Sequence, residues 1–139
     1  MCKVFVKTFT ISTSRRFEAL NVTDIVEQTV AESGIKNGIV VVHAPHATAA
    51  IVLNEYEPRI ASDYLEWVRR YVPPGGGWRH DEIDDNAHAH IASAIIGSTR
   101  VIPLKDGRLL RGTWQEVILL EFDGPRAGRR VVVEVIGCK

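Results

Sequence analysis

The sequence predicts an α+β fold: a single compact domain with a largely antiparallel β core and about three helices. Three observations lead there. The chain has 139 residues, 45% of them hydrophobic, which is the usual size of one domain and enough to bury a core. Many apolar residues fall into short β-branched or alternating runs separated by turn dipeptides, as in strands that pair with near neighbours. The remaining apolar segments carry helical spacing and are bounded by capping residues.

Lys3 to Ser12 reads as a strand, Val4 and Val6 alternating with Lys3 and Lys7 and followed by Phe9 and Ile11. Asn21 or Thr23 caps a helix to about Ser33, with Ile25, Val26, Thr29 and Val30 at helical spacing and Gly34 as terminator. Gly38 to His43 is a β-branched run that suits a buried strand; Pro45 breaks it, and His46 to Asn54 forms the next strand. Pro58 opens a helix to about Tyr71, where Ile60, Tyr64, Leu65, Trp67 and Val68 make an apolar face. Pro73-Pro74-Gly75-Gly76-Gly77 ends that helix and starts a loop through the acidic stretch Asp81 to Asp85. The remainder is too short for a second domain, so this is read as a functional surface loop. Asn86 caps a third helix through Ile96, ended by Gly97. Strands follow at Arg100 to Leu104, Arg108 to Leu110, Trp114 to Phe122 and Arg130 to Ile136, with Asp106-Gly107 and Asp123-Gly124 as hairpin turns.

Lysine plus arginine (17) balances aspartate plus glutamate (17), so no global field attracts nucleic acid or an anionic membrane, and neither is expected as a partner. The N-terminus lacks the apolar core of a signal peptide, and no stretch reaches the roughly 20 apolar residues of a membrane span. The expected location is cytoplasmic. Cys2 and Cys138 match no metal-type spacing and are read as free thiols, the alternative being a bridge between paired terminal strands. The pairs Arg15-Arg16, Arg69-Arg70 and Arg129-Arg130 can grip phosphate in a bidentate way, although solvated surface charge is the plainer reading.

On an extended strand His46, Thr48 and Asn54 share one face, while Ala47, Ala49, Ile51, Leu53 and Glu55 share the other. The aliphatic face is expected toward the core, leaving the polar face for a cleft or interface. His43 is read as a satisfied structural histidine. His88 and His90 lie about 200° apart around a helix, so only one can face a given site. His90 is the candidate, sharing its face with Asn86 and Ala94; His88 is expected at solvent or an interface. His80 sits in the loop between Trp78-Arg79 and Asp81, which suits a site loop. Three imidazoles with an open position form a known catalytic zinc arrangement, so His46, His80 and His90 are the expected metal ligands. No HExxH, CxxC, nucleophile elbow or Walker loop accompanies them. In Gly112-Thr113-Trp114-Gln115, Trp114 is a stacking platform or a core residue, and Gln115 needs a partner if buried.

These residues form an ordered pattern: His46-x-Thr48-Ala49-x-x-x-x-Asn54-Glu55, His80-Asp81, His90, Gly97, Gly107, Gly112-Thr113-Trp114-Gln115, and finally Arg129-Arg130. The pattern resembles the YjbQ-like family, also called the secondary thiamine-phosphate synthase family, over nearly the whole chain. The resemblance implies a β-rich α+β homotrimer that weakly joins a hydroxymethylpyrimidine diphosphate to a thiazole phosphate. It carries over His46, His80 and His90 but not His43 or His88. Ala47 departs from the pattern, since relatives often have a second threonine there, which leaves Thr48 alone.

For such a reaction the expected roles are charge neutralisation by Arg129 or Arg130, stacking by Trp114, and hydrogen bonding by Asn54 or Gln115, with Thr48 also at the substrate. The cofactor expected is a divalent ion, zinc by its imidazoles or magnesium by the diphosphate. A histidine-bound metal hydrolase acting on a small phosphorylated molecule, with Glu55 or Asp81 as general base, is the second enzyme reading. A trimer that binds metal or a small ligand without turnover is the third.

Overall fold

The computed structural model describes Met1–Lys139 throughout. The elements run β1 (Cys2–Ile11), β2 (Glu18–Asn21), α1 (Thr23–Ser33), β3 (Asn37–His43), β4 (Ala49–Asn54), α2 (Pro58–Tyr71), a 3₁₀ turn (Arg79–Glu82), α3 (Ala87–Ile96), β5 (Thr99–Lys105), β6 (Arg108–Leu109), β7 (Glu116–Glu121) and β8 (Arg129–Cys138). Every strand pair is antiparallel, in two sheets: five strands in the order β1-β8-β3-β5-β6 and three in the order β2-β7-β4. The α+β expectation with three helices holds.

The two sheets enclose one apolar core, in which Val40, Val42, Val131, Val133 and Val135 meet Ile51, Val117 and Leu119, with Val26 and Val30 of α1 at its side. A second core lies on the other face of the small sheet, where Ala50, Ile118 and Leu120 meet Leu65 and Val68 of α2 and Ala89 and Ala92 of α3. The small sheet is therefore the middle layer, which is why β7 reads as an unbroken Val117-Ile118-Leu119-Leu120 run. This corrects the expected polar face of β4: Ala50 and Val52 pack into the second core, and the strand begins at Ala49, beyond His46 and Thr48.

Local signals explain most boundaries. Gly34 ends α1 in the left-handed conformation, and Glu57 accepts the Ile60 amide at the start of α2. Asp106 and Gly107 both take positive φ and close the β5–β6 hairpin. Asp123-Gly124 differs from expectation: β7 and β8 belong to different sheets, so this dipeptide turns a corner between layers. A side chain on Gly124 would collide with the Arg15 carbonyl, so the corner sits tight against the segment before β2. The short strand β2 has no periodicity of its own to announce it.

The cysteines also differ from expectation. The register of β1 and β8 sets Cys2 opposite Cys138, and the two are disulfide-bonded across a separation of 136 residues. Antiparallel pairing of the chain ends supplies the contact that sequence spacing could not reveal.

Candidate functional site

His80, from the 3₁₀ turn, and His90, from α3, meet edge to face with ring centroids 5.0 Å apart. They line a depression of about 410 Å³ with Gly77, Trp78, Arg79, Ala87 and Ile91. The glycine run brings the chain off α2, and the Trp78 indole donates to the Pro73 carbonyl at 2.8 Å, which fixes the loop. Asp81 accepts the Ala87 amide at 3.0 Å through Oδ1 and so caps α3, while its Oδ2 is shielded and unpartnered. Asn86, expected as the cap, makes no capping bond; it donates to Asp123 at 3.0 Å and leaves its own Oδ1 unpartnered. The result is two imidazoles and a guanidinium beside an indole, over a floor of small and apolar groups.

His46 lies elsewhere in the hydrogen-bond network. Its Nε2 accepts the Arg130 amide at 2.8 Å, so Nδ1 carries the proton and the ring has no lone pair left for a metal. Burial, followed by the charges of Arg129 and Arg130, pushes its pKa down, which keeps this tautomer neutral. Within one chain the three expected ligands do not converge: His46 stands apart from His80 and His90, and no three His, Cys, Asp or Glu side chains group to hold an ion. The depression itself is lined by two imidazoles and no carboxylate; Asp81 lies behind it, with one oxygen on the Ala87 amide and the other buried.

Several expected site residues serve the fold. Arg129 is 4% exposed and forms a buried ion pair with Glu121, while also donating to Thr48 Oγ1 at 2.8 Å. Thr13 and the Asp123 amide donate to the same glutamate at 2.7 and 3.1 Å. Thr48 and Arg129 are thus withdrawn as substrate contacts, whereas Arg130 alternates to the exposed side. Gln115 accepts the Gly112 amide at 2.7 Å and locks a turn, so its amide supports the loop. That turn holds Trp114 71% exposed before β7, which excludes the core role. Asn54, at the exposed end of β4, accepts the Glu55 amide at 2.7 Å, and neither Asn54 nor Glu55 lines the His80–His90 depression.

His43 bonds Thr99 at 2.6 Å, in keeping with a structural role. His88 reverses expectation: it is fully buried, donating through Nε2 to the Phe122 carbonyl at 2.9 Å and packing on Phe17. The helical angle correctly separated it from His90, but the His88 side is the one packed into the protein, and solvent meets α3 at Ala94 and Ile95. Sequence reasoning missed Glu121 and Thr13 as the partners of Arg129, the only signal being an acid at the end of an apolar strand. Arg79, beside His80, was visible as part of the loop and now stands in the depression.

The family model described as UPF0047 protein YjbQ-like matches residues 7–138. A UPF0047 protein of Archaeoglobus fulgidus is 42% identical over 127 residues, covering 91% of this chain and 98% of that one. The UPF0047 protein YugU of Bacillus subtilis is 34% identical, covering 94% and 98%. Among solved structures, a protein of unknown function from Sulfolobus solfataricus superposes with a TM-score of 0.97 at 46% identity, covering 99% of each chain. The chain belongs to the UPF0047, or YjbQ-like, family.

Proposed function

We propose that the protein joins a hydroxymethylpyrimidine diphosphate to a thiazole phosphate, forming thiamine phosphate and pyrophosphate, with the His80–His90 depression as the reaction site. The observation that carries the reading is the His80–His90 contact with Arg79 and Trp78 in one recess, a set suited to phosphate beside a flat ring. In the reaction the bond between the pyrimidine methylene and the diphosphate oxygen breaks, its electron pair leaving with pyrophosphate. The thiazole nitrogen lone pair forms the new carbon–nitrogen bond. No proton transfer is required, so the protein's work is alignment and stabilisation of the leaving charge. Arg79 and the N–H groups of His80 and His90 are the donors to that charge, and Trp78 is the ring platform. A magnesium ion arriving with the diphosphate would neutralise phosphate charge, with Asp81, which caps α3 behind the recess, as the nearby carboxylate.

The homotrimer belongs to the same proposal. Its support is the outer face of the large sheet, where Val4 and Val6 of β1, Ile39 of β3 and Val101 of β5 stay exposed. No helix is long and apolar enough to cross a membrane. A second reading, a metal-assisted phosphate hydrolase, is favoured by the unpartnered Asp81 oxygen next to His80.

The test is thiamine-phosphate formation by purified protein, with magnesium or with chelator, in wild type, His80→Ala, His90→Ala and His43→Ala. Loss in the first two variants with retention in the third supports the synthase. Unchanged rates in all three refute this location. Complementation of a strain lacking its main thiamine-phosphate synthase, at low expression, separates a primary from a secondary activity.

A further inference from the structure

A second recess, sharing no lining residue with the first, lies between the segment before β2 and one side of α2. It measures about 570 Å³, within the size range of small-ligand sites. Arg15, Arg16 and Arg69 line it, over Phe17 and Leu65 with Tyr56 at one wall. The charges there are poorly compensated. Arg15 enters no ion pair. Arg16 gives one N–H to the Asp85 backbone carbonyl at 2.8 Å and has no carboxylate within bridging distance. Arg69 has only Glu66, at 3.8 Å. The one acid in the lining, Glu18, is taken by the Ser14 amide at 2.7 Å and the Ser14 hydroxyl.

Two of the guanidiniums are also held in place, Arg16 by the Asp85 carbonyl and Arg69 by stacking. Arg69 stacks over the Phe17 ring at 4.6 Å, and Phe17 is anchored from below by His88. The Tyr56 hydroxyl donates to the Ala19 carbonyl at 2.9 Å, which turns its ring along the groove. In a chain of zero net charge, three arginines converging on an apolar floor make a local anion trap. We propose that this groove is a second ligand site, for a small phosphorylated molecule whose phosphate or diphosphate group lies among Arg15, Arg16 and Arg69 and whose body rests on Leu65 and Tyr56.

The test is calorimetric titration of the full chain with inorganic pyrophosphate in chelator-containing buffer at fixed ionic strength. The proteins are wild type, Arg15→Gln, Arg15→Gln/Arg69→Gln, and His80→Ala/His90→Ala, each checked for an unchanged melting profile. The expected result is saturable binding that weakens at least about tenfold in the double arginine variant, less in Arg15→Gln, and persists in the histidine variant. Arg15→Gln keeps the question open to refutation if loss of the Arg69 stack disturbs folding. No saturable binding up to about 10 mM pyrophosphate, or equal binding by Arg15→Gln and wild type, overturns the groove. Binding lost only in the histidine variant overturns it while leaving the proposed reaction site standing.

Discussion

Replacing Arg129 by methionine should leave the Glu121 carboxylate, which has 0% exposure, without its counter-ion. Thr13 and the Asp123 amide would still donate to it, but neither carries charge. Stranding one member of a buried pair costs about 3–5 kcal/mol. An unfolding entropy of ~2.1 cal/mol/K per residue over 139 residues gives ~0.29 kcal/mol/K, so the melting temperature should fall by about 10–17 °C. The double variant Arg129→Met/Glu121→Leu should recover most of that loss, because an apolar replacement of both partners is often neutral. About 1–2 kcal/mol should remain, since Thr13 and Asp123 lose their acceptor. Burial pushes the Glu121 carboxyl up, but the bonds from Arg129, Thr13 and the Asp123 amide outweigh it and hold the pKa below the ordinary value of 4.5. A depressed folded pKa means stability that is present above the unfolded value and lost as pH falls through the folded one. The gap between wild type and Arg129→Met should therefore narrow as pH drops below about 4.5. Thermal melts by circular dichroism across pH measure both effects. A neutral-pH loss under about 1 kcal/mol, or a gap that does not narrow in acid, would refute the reading of Arg129 as a structural charge.

Reducing the Cys2–Cys138 bond should remove up to ~5 kcal/mol by releasing a chain-long loop in the unfolded state. Cys2→Ser should reproduce the effect, and a melting temperature indifferent to reductant would contradict it. His88→Ala should cost about 3–4 kcal/mol, because it opens a cavity beside Phe17 and strands the Phe122 carbonyl; denaturant titration measures this, and a loss below about 1 kcal/mol would mean the ring is not packed as described. Val6→Asp/Val101→Asp places charge on the exposed face of the large sheet and should dissociate the proposed homotrimer to monomers in analytical ultracentrifugation; a sedimentation profile identical to wild type would refute this face as its interface.

The fold was legible wherever a boundary is set locally. Gly34, Pro58 and Asp106-Gly107 act through their own backbone or a neighbour's, so α1, α2 and the β5–β6 hairpin lie where the sequence puts them. Features set by layer order were not legible. Asp123-Gly124 resembles a hairpin turn, and only the assignment of β7 and β8 to different sheets makes it a corner. The alternation in β4 promised a wet face because a strand's own pattern does not say that helices cover its other side. The cysteine bridge and the buried state of His88 have the same origin, in contacts between segments far apart in the chain.

The site was legible in its residues more than in its grouping. Histidine, threonine, arginine and glutamine look alike in sequence whether they meet a ligand or close a buried hydrogen bond; what separates them is the capacity the fold leaves unused. Arg129 is committed to Glu121 and to Thr48, His46 has given its lone pair to the Arg130 amide, and Gln115 holds its own turn. By contrast, His80 and His90 make no side-chain hydrogen bond within the chain, and Asp81 keeps one oxygen unpartnered after capping α3. A ligand can gain only from groups whose bonding is incomplete, since displacing a satisfied internal bond returns little. The chemistry should therefore follow the His80–His90 side of α3, even though His46 and Arg129 belong to the same ordered pattern in the chain.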